Sequence, residues 1–206
     1  MFAIVESGSI TSMPNGNKGI TIGDNQYPAS IFTLWSESER NAIGIYTIEI
    51  DETNKKDNEW YINTNITYAY DSSSNKVKGT YGTATARAHA DSTYTNTDKS
   101  NGDIPTGKDV GDLKEEGLKT ILIRKVKQEA EKILNETDWY VTRKSEKSTA
   151  IPSAITTHRD AVRTKQAEME TAITNAADTP ALETLYTDTV TDGVQSRPLG
   201  DLPRLT

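Results

Sequence analysis

The chain has 206 residues, of which only 34% are hydrophobic, with a formal net charge of −7 and no cysteine. This acidic balance argues against nucleic-acid binding, because phosphate contacts need a basic stripe. The lack of cysteine excludes disulfides, thiol catalysis and zinc–cysteine sites. The low apolar content predicts either two thin cores or an extended shape completed by partner chains.

The opening residues argue against a signal peptide. No basic residue precedes the first apolar run, which breaks at Glu6 and Gly8. No apolar run elsewhere approaches the roughly 20 residues that a membrane helix needs. We therefore expect a protein that is made and used in solution, without a membrane partner.

Residues 1–90 predict a small α+β domain, an antiparallel β unit with one short helix. The spacing of Ser36 and Glu39 is that of a capping box at a helix start, and Gly44 is suited to end that helix. Trp35, directly before the cap, is expected to lie in the core. Residues 60–62, 66–70 and 76–81 are rich in β-forming residues, and the turn chemistry of 71–75 predicts a hairpin.

Residues 91–111 are rich in Asp, Ser, Thr, Asn, Gly and Pro and contain almost no apolar side chains. This composition predicts a linker or surface loop, and it marks the expected domain boundary.

Residues 112–187 predict a helical hairpin domain. Apolar residues at intervals of three and four indicate a first helix over 112–136. In a second helix over 153–177, apolar residues recur every seven positions, a spacing typical of helices that pack along a seam. Pro180 fits the first turn of a third, short helix over 181–186. Residues 188–206 are expected to form an extended C-terminal arm.

The residues directly after the first long helix are Thr137, Asp138, Trp139 and Tyr140. We expect the apolar rings to lie back across the groove between antiparallel helices and fill it, with contact to a partner chain as the alternative. Asp138 can accept from amides in the turn, or it can pair with Arg159 or Arg163, which are one turn apart. The alternative is that both arginines are solvated.

These considerations give a set of candidate structural or interface residues, and no catalytic, metal or cofactor residues. The set is Trp35, Asp138, Trp139, Tyr140, Ile155, Arg159, Val162, Arg163, Met169 and Ile173. The two histidines, His89 and His158, have no second ligand nearby in sequence, and paired carboxylates lie on lysine-rich helix faces. We therefore expect no cofactor and no enzymatic activity.

The C-terminal half resembles the phage tail assembly chaperone family, in which a helix ending in an Asp-Trp step precedes a Pro-containing loop and a helix with paired arginines. The matching residues are Ile133-Leu134, Thr137-Asp138-Trp139, Ile151-Pro152, Arg159 and Val162-Arg163. Residues 29–32 and 35–46 are similar to the opening of small tail proteins from marine tailed phages.

The resemblance implies a non-enzymatic structural protein of the virion tail, in the fibre, baseplate or adaptor region. Such a protein would be made in the host cytoplasm and would bind other tail proteins and copies of itself. The apolar stripe of the second helix and the C-terminal arm favour assembly into a repeated structure. The alternative is an assembly chaperone that is absent from the mature particle. A weaker alternative is binding of host-surface glycan through the Tyr-rich hairpin over 60–81.

Overall fold

The computed structural model describes residues 1–205, and the chain divides into two compact units, Met1–Thr85 and the residues from Ala86 onward. The fold is α+β, as predicted. The first unit contains β1 (Phe2–Glu6), β2 (Ser9–Ser12), β3 (Ile20–Ile22), β4 (Asn25–Tyr27), α1 (Ile31–Leu34), α2 (Glu37–Ala42), β5 (Ile45–Asp51), β6 (Tyr61–Ile62), β7 (Ile66–Asp71) and β8 (Lys76–Tyr81). Strand β9 (Thr85–Ala86) spans the boundary.

The first unit is built on a five-stranded sheet with the order β2-β1-β5-β8-β7. The predicted hairpin over 66–81 is confirmed as the antiparallel pair β7 and β8. The sheet is mixed and not antiparallel throughout, because β5 and β8 run parallel, with Ile48 opposite Val77. The parallel pair arises because a long connection separates β5 from the β7–β8 hairpin. The hairpin then pairs with β5 through β8 instead of β7.

Both faces of this sheet are covered by apolar side chains, as the two-residue alternation along β1 requires. One face carries Ala3, Val5, Ile48 and Val77. The other carries Ile4 and Ile45, which pack against Ile31 and Phe32 of α1.

The helical segment of this unit consists of two short helices instead of the single one predicted. The chain is extended at Trp35, and α2 then begins at Ser36 with the predicted capping box. The Ser36 amide donates to Glu39 Oε2 at 2.7 Å, and the Glu39 amide donates to Ser36 Oγ at 3.3 Å. Gly44 ends the helix in the left-handed region, at φ +82°, and a Cβ there would meet the Val5 carbonyl oxygen at 2.9 Å.

The second unit is mainly helical. Its elements are β10 (Ser92–Thr93), α3 (Asn96–Asn101), β11 (Leu113–Glu115), α4 (Leu118–Asn135), α5 (Asp138–Lys147), α6 (Ser153–Asn175), α7 (Thr179–Tyr186), β12 (Thr189–Thr191) and β13 (Val194–Ser196).

Helices α4 and α6 form the expected antiparallel hairpin. The Arg159 side chain near the start of α6 reaches Leu134 at the end of α4, and Lys119 near the start of α4 reaches the Thr174 carbonyl near the end of α6. The buried side chains of α4 follow the predicted apolar face: Leu118, Leu122, Val126, Ala130 and Ile133.

The segment 91–111 is not a featureless linker. Thr95 and Asp98 form a capping box that begins α3, and β10 pairs with β11. Helix α3 is stabilised by its polar cap and by the ion pair of Asp98 with Lys114 instead of an apolar face. For this reason, composition alone predicted a loop.

Helix α4 begins at Leu118 and not at residue 112, because the chain just before β10 caps it. The Leu118 and Lys119 amides donate to the carbonyl oxygens of Ala88 and His89 at 2.9 and 3.0 Å. Asp91 accepts from the Gly117 amide at 2.7 Å and from the Thr120 hydroxyl at 2.9 Å. These acceptors satisfy the amides of Gly117, Leu118 and Lys119, which have no partner within the helix.

The C-terminal residues are not an extended arm. The short helix predicted after Pro180 is confirmed as α7, capped by Asp178. Strands β12 and β13 then form a hairpin, in which Val190 lies opposite Gln195. Leu199 and Leu202 are buried, so apolar burial brings the chain back onto its own helical unit.

The Asp91 cap predicts a pH-dependent stability. Hydrogen bonds from the Gly117 amide and the Thr120 hydroxyl lower the pKa of Asp91. A carboxyl whose pKa is lower in the folded state stabilises that state above its unfolded pKa, and this contribution is lost as the pH falls. Asp91→Ala should therefore unfold at lower urea than the wild type at pH 7, and the difference should shrink below about pH 4.

Urea unfolding followed by far-UV circular dichroism measures this effect. Asp24→Ala is the matched control, because this exposed carboxylate has no hydrogen bond to other described residues. If the free energy of unfolding of the wild type exceeds that of Asp91→Ala by the same amount at all pH values, or does not exceed it at pH 7, the role of Asp91 as a helix cap is contradicted.

Candidate interaction site at the corner between α4 and α5

The guanidinium of Arg159 occupies the corner where α4 ends and α5 begins; the corner comprises Leu134, Thr137, Asp138 and Arg159. Arg159 Nη1 donates to the Leu134 carbonyl and to Thr137 Oγ1, both at 2.7 Å. Arg159 Nη2 lies 2.8 Å from Asp138 Oδ1. The pairing predicted between Asp138 and Arg159 is thus confirmed, and a single side chain joins three helices.

The position of Arg159 follows from elementary electrostatics. The last carbonyls of a helix have no intrahelical partner and carry the negative end of the helix dipole, so a cation is stabilised there. Arg159 is only 8% exposed, and a buried charge must find several hydrogen-bond acceptors to offset its desolvation. The Leu134 carbonyl, the Thr137 hydroxyl and the Asp138 carboxylate provide them.

Thr137 is the corner residue whose role the sequence did not assign. Its side chain is buried, accepts from Arg159 and donates to the Leu134 carbonyl at 3.0 Å. Nothing in the residues around Thr137 indicates that its hydroxyl accepts from a cation 22 residues away.

Arg163 is not part of the corner. It pairs with Asp160 on its own helix at 3.3 Å, and its side chain is exposed. Of the two arginines that could pair with Asp138, the structure brings only Arg159 to it.

Trp139 does not fill the groove between the helices. Its ring is 52% exposed, which overturns the predicted core position. The groove is already filled by the facing side chains of α4 and α6, and Trp139 lies in the first turn of α5 instead of a turn that doubles back. This exposure is compatible with the alternative prediction, contact with a partner chain.

The exposed Trp139 ring forms a cluster with Tyr140 and Arg143, which are both half-buried. The centroids of the two rings are 3.7 Å apart, and the Arg143 guanidinium lies 4.7 Å from the Trp139 ring centroid and 5.2 Å from that of Tyr140. Arg143 Nε is inaccessible and has no hydrogen-bond partner among residues 1–205. No residue of α5 is buried, so this helix presents aromatic rings without covering them.

The seven-residue stripe of α6 faces its own chain. Its members Ile155, Val162, Met169 and Ala176 are all buried, as is Ile173 beside them, and α6 packs against α4. The stripe was expected to support oligomer formation, but it forms the intrachain core of the hairpin. It follows that any assembly surface of this unit lies elsewhere.

Trp35 lies in the first unit, and its placement is partly as expected. The ring is half-buried against the cluster around Ile4 and Ile45 and meets Tyr27 edge-on, at a centroid distance of 5.9 Å. Its backbone carbonyl accepts from Arg40. It is thus a flanking residue of the core.

No group of His, Asp or Glu side chains within residues 1–205 is arranged to hold a metal ion. None of the helices in this part of the chain is long and apolar enough to cross a membrane. No known protein family, curated protein or solved structure matches the chain.

The outward position of Trp139 predicts a small stability effect. Trp139→Ala should lower the free energy of unfolding by ~1 kcal/mol or less, since an exposed cation–π contact contributes about 0.5–1 kcal/mol. Ile173→Ala, at a fully buried position, should cost about 2–5 kcal/mol. Urea denaturation measures both values. Equal losses for the two variants would mean that the Trp139 ring is buried in solution.

Proposed function

We propose that the protein is a non-enzymatic structural component of a tailed-phage virion, located in or on the tail and acting through protein–protein assembly. The observation that carries the proposal is the aromatic cluster on α5, in which the Trp139 ring is 52% exposed. Exposed aromatic residues joined to arginine are the side chains most enriched where protein interfaces concentrate their binding energy.

The corner supports the same proposal. The residues that resemble the tail assembly chaperone family include Thr137, Asp138 and Arg159, and Arg159 binds the other two. Their polar atoms are used in holding helices together, which suits a scaffold that orients α5 toward a partner. Trp139, another of the matching residues, is 52% exposed.

Glycan binding through residues 60–81 has less support. Trp60 and Tyr61 are buried, and Tyr68 and Tyr70 pack against the sheet core. Burial removes Trp60 and Tyr61 from contact with a sugar and reduces the ring area that Tyr68 and Tyr70 can offer, so assembly is the better proposal for the first unit as well.

Mass spectrometry of purified virions tests retention in the particle. We expect peptides from this chain in density-purified particles at an abundance comparable to that of other tail components. A host cytosolic protein in the same preparation serves as the contamination control. A chain that is abundant in the infected lysate but reduced to the contamination level in purified particles would contradict the proposal and favour the assembly chaperone.

A further inference from the structure

The α5 face, formed by Trp139, Tyr140, Arg143, Lys144 and Lys147, is basic on an acidic protein. Residues 139–147 carry three cations and one carboxylate, a net charge of +2, whereas the whole chain has −7. No carboxylate within residues 1–205 forms an ion pair with Arg143, Lys144 or Lys147. The aromatic rings at 139 and 140 lie on this side of the helix, so the face combines apolar area with unpaired positive charge.

A second exposed surface has the opposite character. Val190 lies opposite Gln195, whose side-chain amide donates to Asp188, so Asp188 and Val190 share one side of the β12–β13 hairpin; we call this the hairpin face. Val190 is 71% exposed. Residues 188–196 contain two carboxylates and no cation, a net charge of −2. Asp188 accepts from Gln195 at 2.9 Å, and no cation pairs with Asp188 or Asp192 within residues 1–205.

We propose that the α5 face of one copy binds the hairpin face of the next copy. The proposal rests on the assembly function proposed above and names its partner, a second copy of this chain. The two faces are complementary in charge, and each adds an exposed apolar side chain, Trp139 on one and Val190 on the other. Every copy carries both faces, so every copy can bind two neighbours.

The arrangement is heterologous, because two α5 faces would repel each other through their like charges. A head-to-tail contact generates closed rings or helical stacks, depending on the rotation between copies. A two-stranded hairpin is also marginally stable alone, so the contact would add order to β12 and β13. Because charge attraction contributes, association should weaken as salt is raised.

Cross-linking between marked copies tests the contact directly, since the natural chain has no cysteine. A full-length Trp139→Cys variant is mixed with a full-length Val190→Cys variant of different mass, and a short bismaleimide is added. We expect a mixed dimer several-fold more abundant than in the control mixture of Trp139→Cys with Leu34→Cys, which places the thiol at another highly exposed apolar position. Mixed dimer at the control level would overturn the proposal, as would Trp139→Cys variants linked mainly to each other.

Charge reversal provides a second test. In sedimentation velocity, Arg143→Glu and Asp188→Lys should each reduce the oligomeric fraction of the wild type, and the double variant should regain it. Lys18→Glu, a reversal in the first unit, should leave the fraction unchanged, and circular dichroism should show that all variants are folded. A wild type that stays monomeric at high concentration, or single reversals without effect, would overturn the proposal.

These outcomes are separable from the proposed function. A failed cross-link together with a chain present in purified virions removes only this contact. A successful cross-link together with a chain absent from virions retains the contact and removes the role in the mature particle.

Discussion

The Arg159 guanidinium is the interaction on which the arrangement of α4, α5 and α6 depends. Burying a cation costs several kcal/mol unless its donors are satisfied, and here one helix end, one hydroxyl and one carboxylate satisfy them. Because Asp138 is half-exposed, its ion pair is partly screened by water, and the two hydrogen bonds at Leu134 and Thr137 carry more of the stabilisation. The corner thus fixes where α5 leaves the hairpin.

This placement divides a short motif into two parts with different roles. Thr137 and Asp138 turn toward Arg159 and hold the corner, whereas Trp139 and Tyr140 turn away and form the aromatic cluster on α5. The apolar stripe of α6 packs against α4, so it is not accessible to a partner. Exposed apolar side chains remain on α5, on the C-terminal hairpin and at Val110 and Leu113, and the proposed contact between copies uses the first two places.

Local patterns in the sequence predicted much of this fold. Four features depend only on neighbouring residues, so they could be identified without a structure. They are the spacing of apolar residues in α4, the cap at Ser36, the end of α2 at Gly44 and the position of Pro180 in α7. The parallel pairing of β5 with β8, the Asp91 cap on α4 and the burial of Leu199 depend on residues distant in sequence. At the corner, the charges of Asp138 and Arg159 predicted their pairing. The direction of Trp139 depends on whether other side chains already fill the groove between the helices, and the sequence does not show this filling.

A double-mutant cycle between Arg159→Met and Thr137→Val tests the central role of the corner most directly. If the guanidinium holds the corner through this hydroxyl, urea denaturation should give a coupling energy of about 0.5–3 kcal/mol, as for residues in one hydrogen-bond network. The same cycle with Arg163→Met should be additive within about 0.5 kcal/mol. An Arg159 cycle that is equally additive would contradict the account.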